Sequence, residues 1–378
     1  MFHSFPYHPP NQTTVAVFVK SSVIKALNDQ RVKERIDFLR QANQQVRTNL
    51  YFFAMPDVDL LNKQIKGTYY DDQCKMWKQK VFPFPVVLYQ RRSNGKKQVQ
   101  AFFRRLRENG VIFLNAQGDF NKWDVYQKLS KNEDMKEYLP TTVSFTGIND
   151  LMYMFEHFDR VYVKPHVGRY SRKVILVENN TGEGFKYSYY GNSLKGGSAK
   201  TLEELDQKLH QICGNKKLLI QQAIESQWRH DDRIVDFRSE VQRNGNGEVE
   251  VVATSVREAD KCVPITSTRA NTSVYSLQTF LTECLQYSKQ DRFFLEKKID
   301  DFLINVFYHI ERLYGKFGEL GIDFVIDPNG KMFLIEVNAR SAKQSLIQSY
   351  DNPTIKKAFI NPLEYAKFLH LTSFNTEV

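Results

Sequence analysis

The segment that most constrains the fold runs from residue 320 to residue 340 of the 378-residue chain. Two short, largely apolar runs rich in β-branched residues, 322–326 and 332–337, flank the sequence Asp-Pro-Asn-Gly at 327–330. Because aspartate, proline, asparagine and glycine each favour tight turns, this pattern predicts an antiparallel β-hairpin.

Three oxygen-bearing side chains interrupt the apolar strands of this predicted hairpin. Asp323 lies on the first strand, and Glu336 and Asn338 lie two residues apart on the second, so these two point to the same face. Polar side chains on a hairpin can simply face water. Three oxygen donors among apolar residues instead favour Mg²⁺, which takes one or two carboxylates and completes its octahedron with water and substrate phosphates. The pattern therefore predicts a magnesium site with a nucleotide nearby.

The length of the chain exceeds what one ordinary hydrophobic core fills, so we expect two or more subdomains. Hydrophobic residues make up 42% of the chain and charged residues 25%, with 28 Phe and 19 Tyr. This composition is typical of a globular protein and argues against disorder.

The cysteines and the chain start indicate the compartment. There is no Cys-x-x-Cys pair and no His at zinc-ligand spacing, so reduced structural thiols are expected at Cys74, Cys213, Cys262 and Cys284. Residues 1–10 lack a signal-peptide pattern, and no apolar run approaches the ~18 residues that span a bilayer. We expect a cytoplasmic protein with no transmembrane segment.

Positive charge is concentrated in one segment. Residues 63–107 contain twelve Lys or Arg and two acidic residues, a surplus equal to the net charge of +10 of the whole chain. Such a face can attract nucleic acid, anionic lipid or an acidic polypeptide, or it can be solvated without a partner. Because no zinc-finger spacing or RNP-type motif occurs there, we expect no specific nucleic acid and rank an acidic polypeptide first among the partners.

Alternating strand and helix patterns open the chain: a strand at 15–19, a helix at about 21–43 and a strand at 50–54 predict a small α/β unit. Further on, a predicted strand at 160–165 carries Lys164 near its end. This lysine either extends to solvent at a strand end or binds phosphate beside the turn that contains Gly168. A closing helix is predicted at 361–369, with Pro362 in its first turn.

A set of short motifs occurs in a defined order along the chain. Its members are Asn121-Lys122-Trp123, Val163-Lys164-Pro165, Gln221-Gln222-Ala223-Ile224, Asp236-Phe237-Arg238, Arg257, Asn271, Asp323, Glu336 and Asn338. With these motifs the chain resembles the ATP-grasp superfamily. Two further stretches, Phe82-Pro-Phe-Pro-Val-Val-Leu-Tyr-Gln-Arg and Phe120-Asn-Lys-Trp-Asp-Val-Tyr-Gln-Lys-Leu, make it similar to the YheC/YheD group of endospore coat-associated proteins over residues 15–370.

The resemblance implies an α/β (α+β) ATP-grasp fold in which two α+β lobes clamp a nucleotide, preceded by a small α/β N-terminal domain. The N-terminal domain would span residues 1–112 and contain the basic segment 63–107. The ATP-grasp domain would span 113–378, with a lid lobe at about 141–222 and a metal-binding core lobe at about 223–372.

The resemblance also implies roles for individual residues. Mg²⁺ would be held by Asp323, Glu336 and Asn338. ATP would be bound by Lys122, Lys164, Gly168, Asn271 and the backbone of Gln222, Ala223 and Ile224, where the linker between the lobes meets the adenine edge. The catalytic residues would be Arg238 and Arg257, which stabilise charge on the transferring phosphoryl group, and Arg340, which precedes Ser341 and Lys343 where relatives bind the acceptor carboxylate.

The implied activity is that of an ATP- and Mg²⁺-dependent carboxylate–amine ligase, which forms an acyl phosphate on an amino-acid or peptide substrate. Two motifs depart from the superfamily pattern. The turn after Lys164 keeps only Gly168, followed by Arg169-Tyr-Ser-Arg172, and Asn271 is not followed by Gly-Gly. A structural spore-coat protein that keeps the nucleotide fold is therefore the alternative, and a phosphotransferase the third.

Overall fold

The computed structural model describes residues 13–93, 95, 97–168, 173–180, 182–228, 233–267 and 270–374. Within these ranges the strands form three sheets, built from consecutive segments of the chain. The first sheet ends at residue 113, the second lies between 142 and 222, and the third between 235 and 338.

The first sheet contains a parallel centre and an antiparallel edge. Its strands are β1 (Thr14–Phe18), β2 (Asn49–Phe53), β3 (Val58–Asp59), β4 (Gln64–Asp71), β5 (Met76–Pro83), β6 (Val87–Gln90) and β7 (Ile112–Phe113). β1 pairs in parallel with β2 and β6, while β4 and β5 form an antiparallel hairpin. The helices of this region are α1 (Ser21–Asn28), α2 (Glu34–Val46) and α3 (Lys97–Glu108).

The predicted helix at 21–43 is wrong in one respect, because two helices occupy this segment. Gln30 adopts a left-handed conformation with φ 57° just after α1. Its side-chain amide pairs with the backbone of Trp77 on β5, with Nε2 3.0 Å from the carbonyl oxygen and Oε1 2.9 Å from the amide nitrogen. This contact with a distant strand fixes the break between α1 and α2.

The second sheet is antiparallel throughout. Two helices precede it, α4 (Lys122–Leu129) and α5 (Glu133–Lys136). Its strands are β8 (Thr142–Phe145), β9 (Arg160–Pro165), β10 (Ile175–Asn180), β11 (Gly184–Tyr190), β12 (Leu194–Ala199) and β13 (Leu218–Gln222), in the order β12-β11-β10-β9-β13-β8. Helices α6 (Ile148–His157) and α7 (Leu202–Cys213) pack on one face through buried Leu151, Met154, Leu205 and Leu209.

The third sheet carries most of the predicted site. Its strands are β14 (Val235–Arg243), β15 (Val249–Glu258), β16 (Ser273–Ser276), β17 (Glu319–Ile326) and β18 (Met332–Asn338), in the order β16-β15-β14-β17-β18. The short α8 (Leu277–Thr279) and a π-helical turn lead into the long α9 (Lys289–Tyr314). Apolar side chains of α9 pack against this sheet and bury one face of it.

The hairpin predicted at 320–340 is confirmed as β17 and β18. Asp323 pairs with Glu336 and Gly321 with Asn338, and a bulge follows Asp323. The turn is closed by a hydrogen bond of 2.9 Å from the Asp327 amide to the Lys331 carbonyl. The bulge allows the polar residues to face one way while Phe324 remains in the core.

The closing helix starts earlier than predicted. After α10 (Gln344–Ser349), α11 spans Asn352–Phe374 and has Pro362 in its interior. A proline leaves the carbonyl four residues before it without a helical donor. Here the side-chain amide of buried Gln242 on β14 donates to the Ala358 carbonyl at 3.0 Å, so a tertiary contact replaces the missing helical bond.

Candidate nucleotide and metal site

Two clefts meet on either side of the polar residues of β17 and β18. The first, of about 950 Å³, lies between the second and third sheets and is called cleft A. The second, of about 1080 Å³, lies on the side of the β18–α10 segment and is called cleft B. The residues that line both are Gly168, Arg257, Thr266, Asp323 and Glu336. A ligand in cleft A and another in cleft B would therefore meet at Asp323 and Glu336.

The three predicted metal ligands lie close together, with Asp323 and Glu336 on this shared wall and Asn338 beside them in cleft B. Asp323 is directly opposite Glu336 on the paired strand, and the Asn338 side-chain nitrogen lies 3.2 Å from Asp323 Oδ2. Among the residues that the structure describes, no three His, Cys, Asp or Glu side chains group closely enough to hold a metal, so the third donor here is an amide. Two carboxylates and one amide oxygen on a paired hairpin fit Mg²⁺, which keeps water and phosphate oxygens as its other ligands.

Each carboxylate of this set is paired with a cation from another element. Arg238 on β14 places Nη1 3.0 and 2.9 Å from the two oxygens of Asp323, and Arg257 on β15 places Nη2 3.0 Å from Oδ1. Lys122 Nζ lies 2.7 Å from Glu336 Oε1. Burial raises the pKa of the Asp323 carboxyl. The two guanidinium groups lower the pKa by more than burial raises it, so the net pKa lies below the usual value. Asp323 is therefore an ionised donor at neutral pH.

Arg257 is held in place by a second carboxylate. Its Nε and Nη2 each lie 2.7 Å from an oxygen of Asp236, which faces it across the β14–β15 pair. The Thr266 hydroxyl donates to the same carboxylate. Burial raises the pKa of Asp236, and the neighbouring Arg257 lowers it only in part. This bidentate geometry orients the guanidinium towards the shared wall.

Lys164 enters cleft A from β9 as a buried cation. Its Nζ lies 2.5 Å from Oε1 of Gln221 on neighbouring β13, and Gln221 in turn donates to the Thr142 hydroxyl at 3.0 Å. Burial lowers the pKa of Lys164 to about 8, and the charge of Lys122 also lowers it, although Glu336 opposes the shift. A buried ammonium whose hydrogen bond within the described residues goes to a neutral amide is well suited to receive a phosphate.

Lys122 reaches the same cleft from the first turn of α4. Asn121 caps this helix, because its side-chain oxygen accepts from the amides of Trp123 and Asp124 at 3.0 and 3.3 Å. The Lys122 amide donates to the His166 carbonyl at 2.9 Å, which ties α4 to the turn after β9. The two predicted phosphate-binding lysines thus line one cleft although they belong to different elements.

The segment predicted to meet the adenine edge begins at Gln222, the last residue of β13, and both Gln222 and Ile224 line cleft A. The Gln222 amide donates to the Thr141 carbonyl at 2.8 Å, and the Ala223 amide donates to the Arg160 carbonyl at 3.1 Å. These two N–H groups thus serve the sheet, and adenine would have to use other groups of the linker.

Three further residues predicted for the site, Gly168, Asn271 and Arg340, lie in different places relative to the clefts. Gly168 lines both clefts, whereas Arg169 and Arg172 of the same turn lie outside the described residues. Asn271 occupies an exposed turn with φ 49°, outside both clefts. Arg340 lines cleft B, but its guanidinium donates to the Gly118 carbonyl and to Asp119. This arrangement ties the 118–119 loop to the end of β18, and the catalytic role of Arg340 stays a prediction.

Several polar residues of the site have no role that was predicted from the sequence: Gln221, Asp236, Glu240 and Thr266. The available signal for Glu240 was the alternation of strand 235–241, which puts Asp236, Arg238 and Glu240 on one face and Val235, Phe237 and Val241 on the other. One arginine of the basic segment 63–107, Arg91, is held in an ion pair with a buried acid. Arg91 Nη1 lies 2.5 Å from Oε1 of fully buried Glu319, which also binds the Lys343 ammonium, so this arginine joins the first sheet to the third.

The two sheets around cleft A have the fold of one class of proteins, the ATP-grasp ligases, as comparisons with solved structures show. D-cycloserine synthetase DcsG aligns with a TM-score of 0.54 over 93% of this chain and 99% of DcsG, at 12% identity. The ATP-grasp ligase PsnB, solved with a phosphomimetic variant of its minimal precursor, Mg and ADP, aligns with a TM-score of 0.53 over 95% and 99% of the two chains, at 13% identity. At these identities the likeness shows the fold alone, and it confirms the predicted fold class.

Within this class, the chain belongs to the YheC/D-like ATP-grasp family, whose sequence pattern matches residues 110–369. The endospore coat-associated protein YheD of Bacillus subtilis (strain 168) is 24% identical over 339 residues, which are 84% of this chain and 70% of YheD. The resemblance to the YheC/YheD group is confirmed. None of the helices in the described ranges is long and apolar enough to cross a membrane.

Proposed function

We propose that this protein is an ATP- and Mg²⁺-dependent ligase that joins a carboxylate to an amine through an acyl phosphate, with an amino acid or peptide as substrate. One observation carries the proposal: Asp323 and Glu336, with their cationic partners, form the wall between cleft A and cleft B. A nucleotide in cleft A would present its terminal phosphate to a carboxylate in cleft B across this wall.

The residues have complementary tasks in such a reaction. Lys122 and Lys164 would bind the phosphates, and Asp323, Glu336 and Asn338 would hold the metal. Mg²⁺ supplies positive charge to the transferring phosphoryl group when it is bound. The guanidinium groups of Arg238 and Arg257 already contact Asp323, beside which the phosphoryl group would transfer, so they would reorganise little during the reaction.

The chemistry requires positioned charge more than covalent help from the protein. A carboxylate is a poor electrophile, and its conversion to an acyl phosphate gives a mixed anhydride whose phosphate an amine can displace. Phosphoryl transfer spreads negative charge over several oxygens, which fixed cations in a closed site stabilise. Cleft A offers two lysines for this purpose, the shared wall offers Arg257, and cleft B offers Arg238.

The test is a turnover assay with purified protein, Mg-ATP and libraries of amino acids and peptides as acids and amines. We expect ADP and phosphate to be released only when a suitable acid and amine are both present. Tight Mg-ATP binding without turnover in any mixture would refute the ligase and support a nucleotide-binding spore-coat scaffold. A phosphorylated product that is stable to amines would indicate a phosphotransferase.

The scaffold is the second candidate, and one feature favours it. Asp323 already has two guanidinium partners, so a metal must compete with them for its oxygens. The protein would then be made in the cytoplasm and associate with the endospore coat, as the name of YheD suggests. Retention of a tagged copy in the coat fraction of a spore former, together with loss of turnover, would support this role.

An acidic polypeptide remains the proposed partner of the basic segment. Lys66 and Lys80 on the β4–β5 hairpin and Arg104 and Arg105 on α3 are exposed. The double substitution Arg104→Glu and Arg105→Glu should weaken binding of poly-glutamate and reduce the dependence of that binding on salt. Equal binding by the variant would exclude α3 from the partner surface.

A further inference from the structure

Glu240 is a buried acid on the floor of cleft B, to which the proposed reaction gives no task so far. It follows Arg238 by two residues on β14, is 2% exposed and lines the cleft. Its Oε1 accepts a hydrogen bond from the Ser341 hydroxyl and lies 3.7 Å from Arg238 Nε. Its Oε2 is buried, and no donor among the described residues reaches it.

A buried carboxylate oxygen without a donor is costly, because folding removes it from water and returns no hydrogen bond. Such groups are few in native proteins, and each calls for an explanation, such as an ordered water, local strain, a bound partner or a function. Burial raises the pKa of Glu240, although Lys343 and Arg238 oppose the shift. A positively charged donor in cleft B would satisfy Oε2 and favour the ionised form.

The other acids that line cleft B already have cationic partners. Asp119 binds Arg340, Glu336 binds Lys122, and Asp323 binds Arg238 and Arg257. The Lys343 ammonium is also taken, because it pairs with Glu319. Of these acids, Glu240 alone has a carboxylate oxygen that is both buried and without a donor among the described residues.

We propose that Glu240 forms an ammonium subsite in cleft B, which binds the charged amino group of a primary amine or amino acid through Oε2. The inference rests on the proposed ligase function, and it names the class of the second substrate. The subsite lies beside Arg238, which faces the shared wall, so an amine bound there is held next to the carboxylate to be activated. To react, the bound ammonium would give one proton to Oε2 of Glu240. Its nitrogen would then displace phosphate from the acyl phosphate, and the phosphate would leave with the second proton. An alcohol of the same shape would be rejected, because it carries no positive charge.

The first test measures binding, which does not depend on turnover. The probes are the standard amino acids, their amides and their α-hydroxy counterparts, titrated into protein loaded with Mg-ADP. We expect at least one amine to bind the wild type, and its hydroxy counterpart and the variant Glu240→Gln each to bind at least about tenfold more weakly. Glutamine keeps an acceptor for Ser341, so this variant should fold, which thermal denaturation checks.

Glu250→Gln is the matched control. Glu250 lies on neighbouring β15 and pairs with Lys357 and Asn361 away from both clefts. Its substitution by glutamine removes the same charge as Glu240→Gln does. It should bind amines as the wild type does. Glu240→Asp keeps the negative charge but places it farther from the cleft, because the side chain is one methylene shorter. We expect its affinity for the amine to lie between those of the wild type and Glu240→Gln. Amine affinities that are the same in wild type and Glu240→Gln, or no amine bound by the wild type, would overturn the subsite.

The second test separates this inference from the ligase itself. Hydroxylamine is largely uncharged near neutral pH and traps an acyl phosphate as a hydroxamate. In Glu240→Gln the KM for the amine should rise at least about tenfold relative to the KM for hydroxylamine. A parallel change in both would contradict the subsite and leave the ligase standing. If the wild type forms neither amide nor hydroxamate, the ligase fails, and the binding measurement still decides the subsite.

Discussion

Arg238 and Asp323 form a bifurcated contact between β14 and β17, with one guanidinium nitrogen 3.0 and 2.9 Å from the two carboxylate oxygens. The carboxylate that would bind Mg²⁺ is thus neutralised within the protein. A metal must share Asp323 with this arginine, whereas the phosphates of a nucleotide would bring additional negative charge and oxygen ligands. We therefore expect the metal and nucleotide to bind cooperatively.

Gly321→Ala should displace Arg238. A Cβ at position 321 would lie 2.4 Å from Arg238 Nη2 and 2.7 Å from Arg238 Cζ. Both distances are shorter than the non-bonded contacts that a Cβ atom makes with heavy atoms, so the arginine side chain must move. Because small displacements of a positioned catalytic group are costly, we expect turnover to fall by about 100-fold while nucleotide affinity changes little. Steady-state kinetics and nucleotide calorimetry would measure the two effects.

Gly147→Ala is the control for this substitution, because a Cβ at position 147 meets nothing within 4 Å and the backbone there is extended. It should behave as the wild type. Equal turnover by Gly321→Ala and Gly147→Ala would show that the position of Arg238 does not matter for the reaction.

Glu336→Gln tests the metal site. Loss of this carboxylate removes one proposed ligand and frees Lys122 from its ion pair. We expect Mg²⁺-dependent ATP affinity to fall by at least about tenfold, with little change in the unfolding temperature. Titration of ATP at several Mg²⁺ concentrations measures this, and unchanged Mg-ATP affinity would remove Glu336 from the metal site.

Asp323→Asn should destabilise the protein, because it leaves two buried guanidinium groups with less counter-charge. We expect the free energy of unfolding to fall by about 3 kcal/mol. A double-mutant cycle with Arg238→Met, read by urea denaturation, would give the coupling between the two side chains. Strict additivity of the two losses would mean that the contact contributes nothing to stability.

Lys164→Met should change how stability depends on pH. The folded pKa of Lys164 is lowered to about 8, while an unfolded lysine titrates near 10.4. Between these values the unfolded wild type binds more protons, so its stability rises with pH, by up to about 3 kcal/mol from this group. Below pH 8 the cost of burying the charge is present in full.

The Lys164→Met variant has no titrating ammonium at this position. The stability of Lys164→Met relative to the wild type should therefore be highest below pH 8 and decrease towards pH 10, while its nucleotide affinity is lower throughout. Thermal denaturation of both proteins between pH 7 and pH 10 measures this difference. A difference that is constant over that range would show that Lys164 titrates normally in the folded protein.

The hairpin at 320–340 and the strand that carries Lys164 were predictable because their signals are local. Turn residues, alternation of apolar side chains and caps act over a few positions, and the sequence displays them directly. The break between α1 and α2 and the early start of α11 were not. Gln30 pairs with Trp77, and Gln242 donates to Ala358, so distant partners decide both features.

The sequence by itself also determined which residue types could bind a metal and phosphate, through Asp323, Glu336, Asn338 and the two lysines. It could not determine their charge partners. Lys122 and Glu336 are 214 positions apart, and Arg257 and Asp323 are 66 apart, so only the folded chain brings them within hydrogen-bond distance. Whether a buried oxygen, such as Oε2 of Glu240, has a donor depends on every element packed around it. Tertiary structure alone decides that, because burial and hydrogen bonding are properties of the assembled sheets.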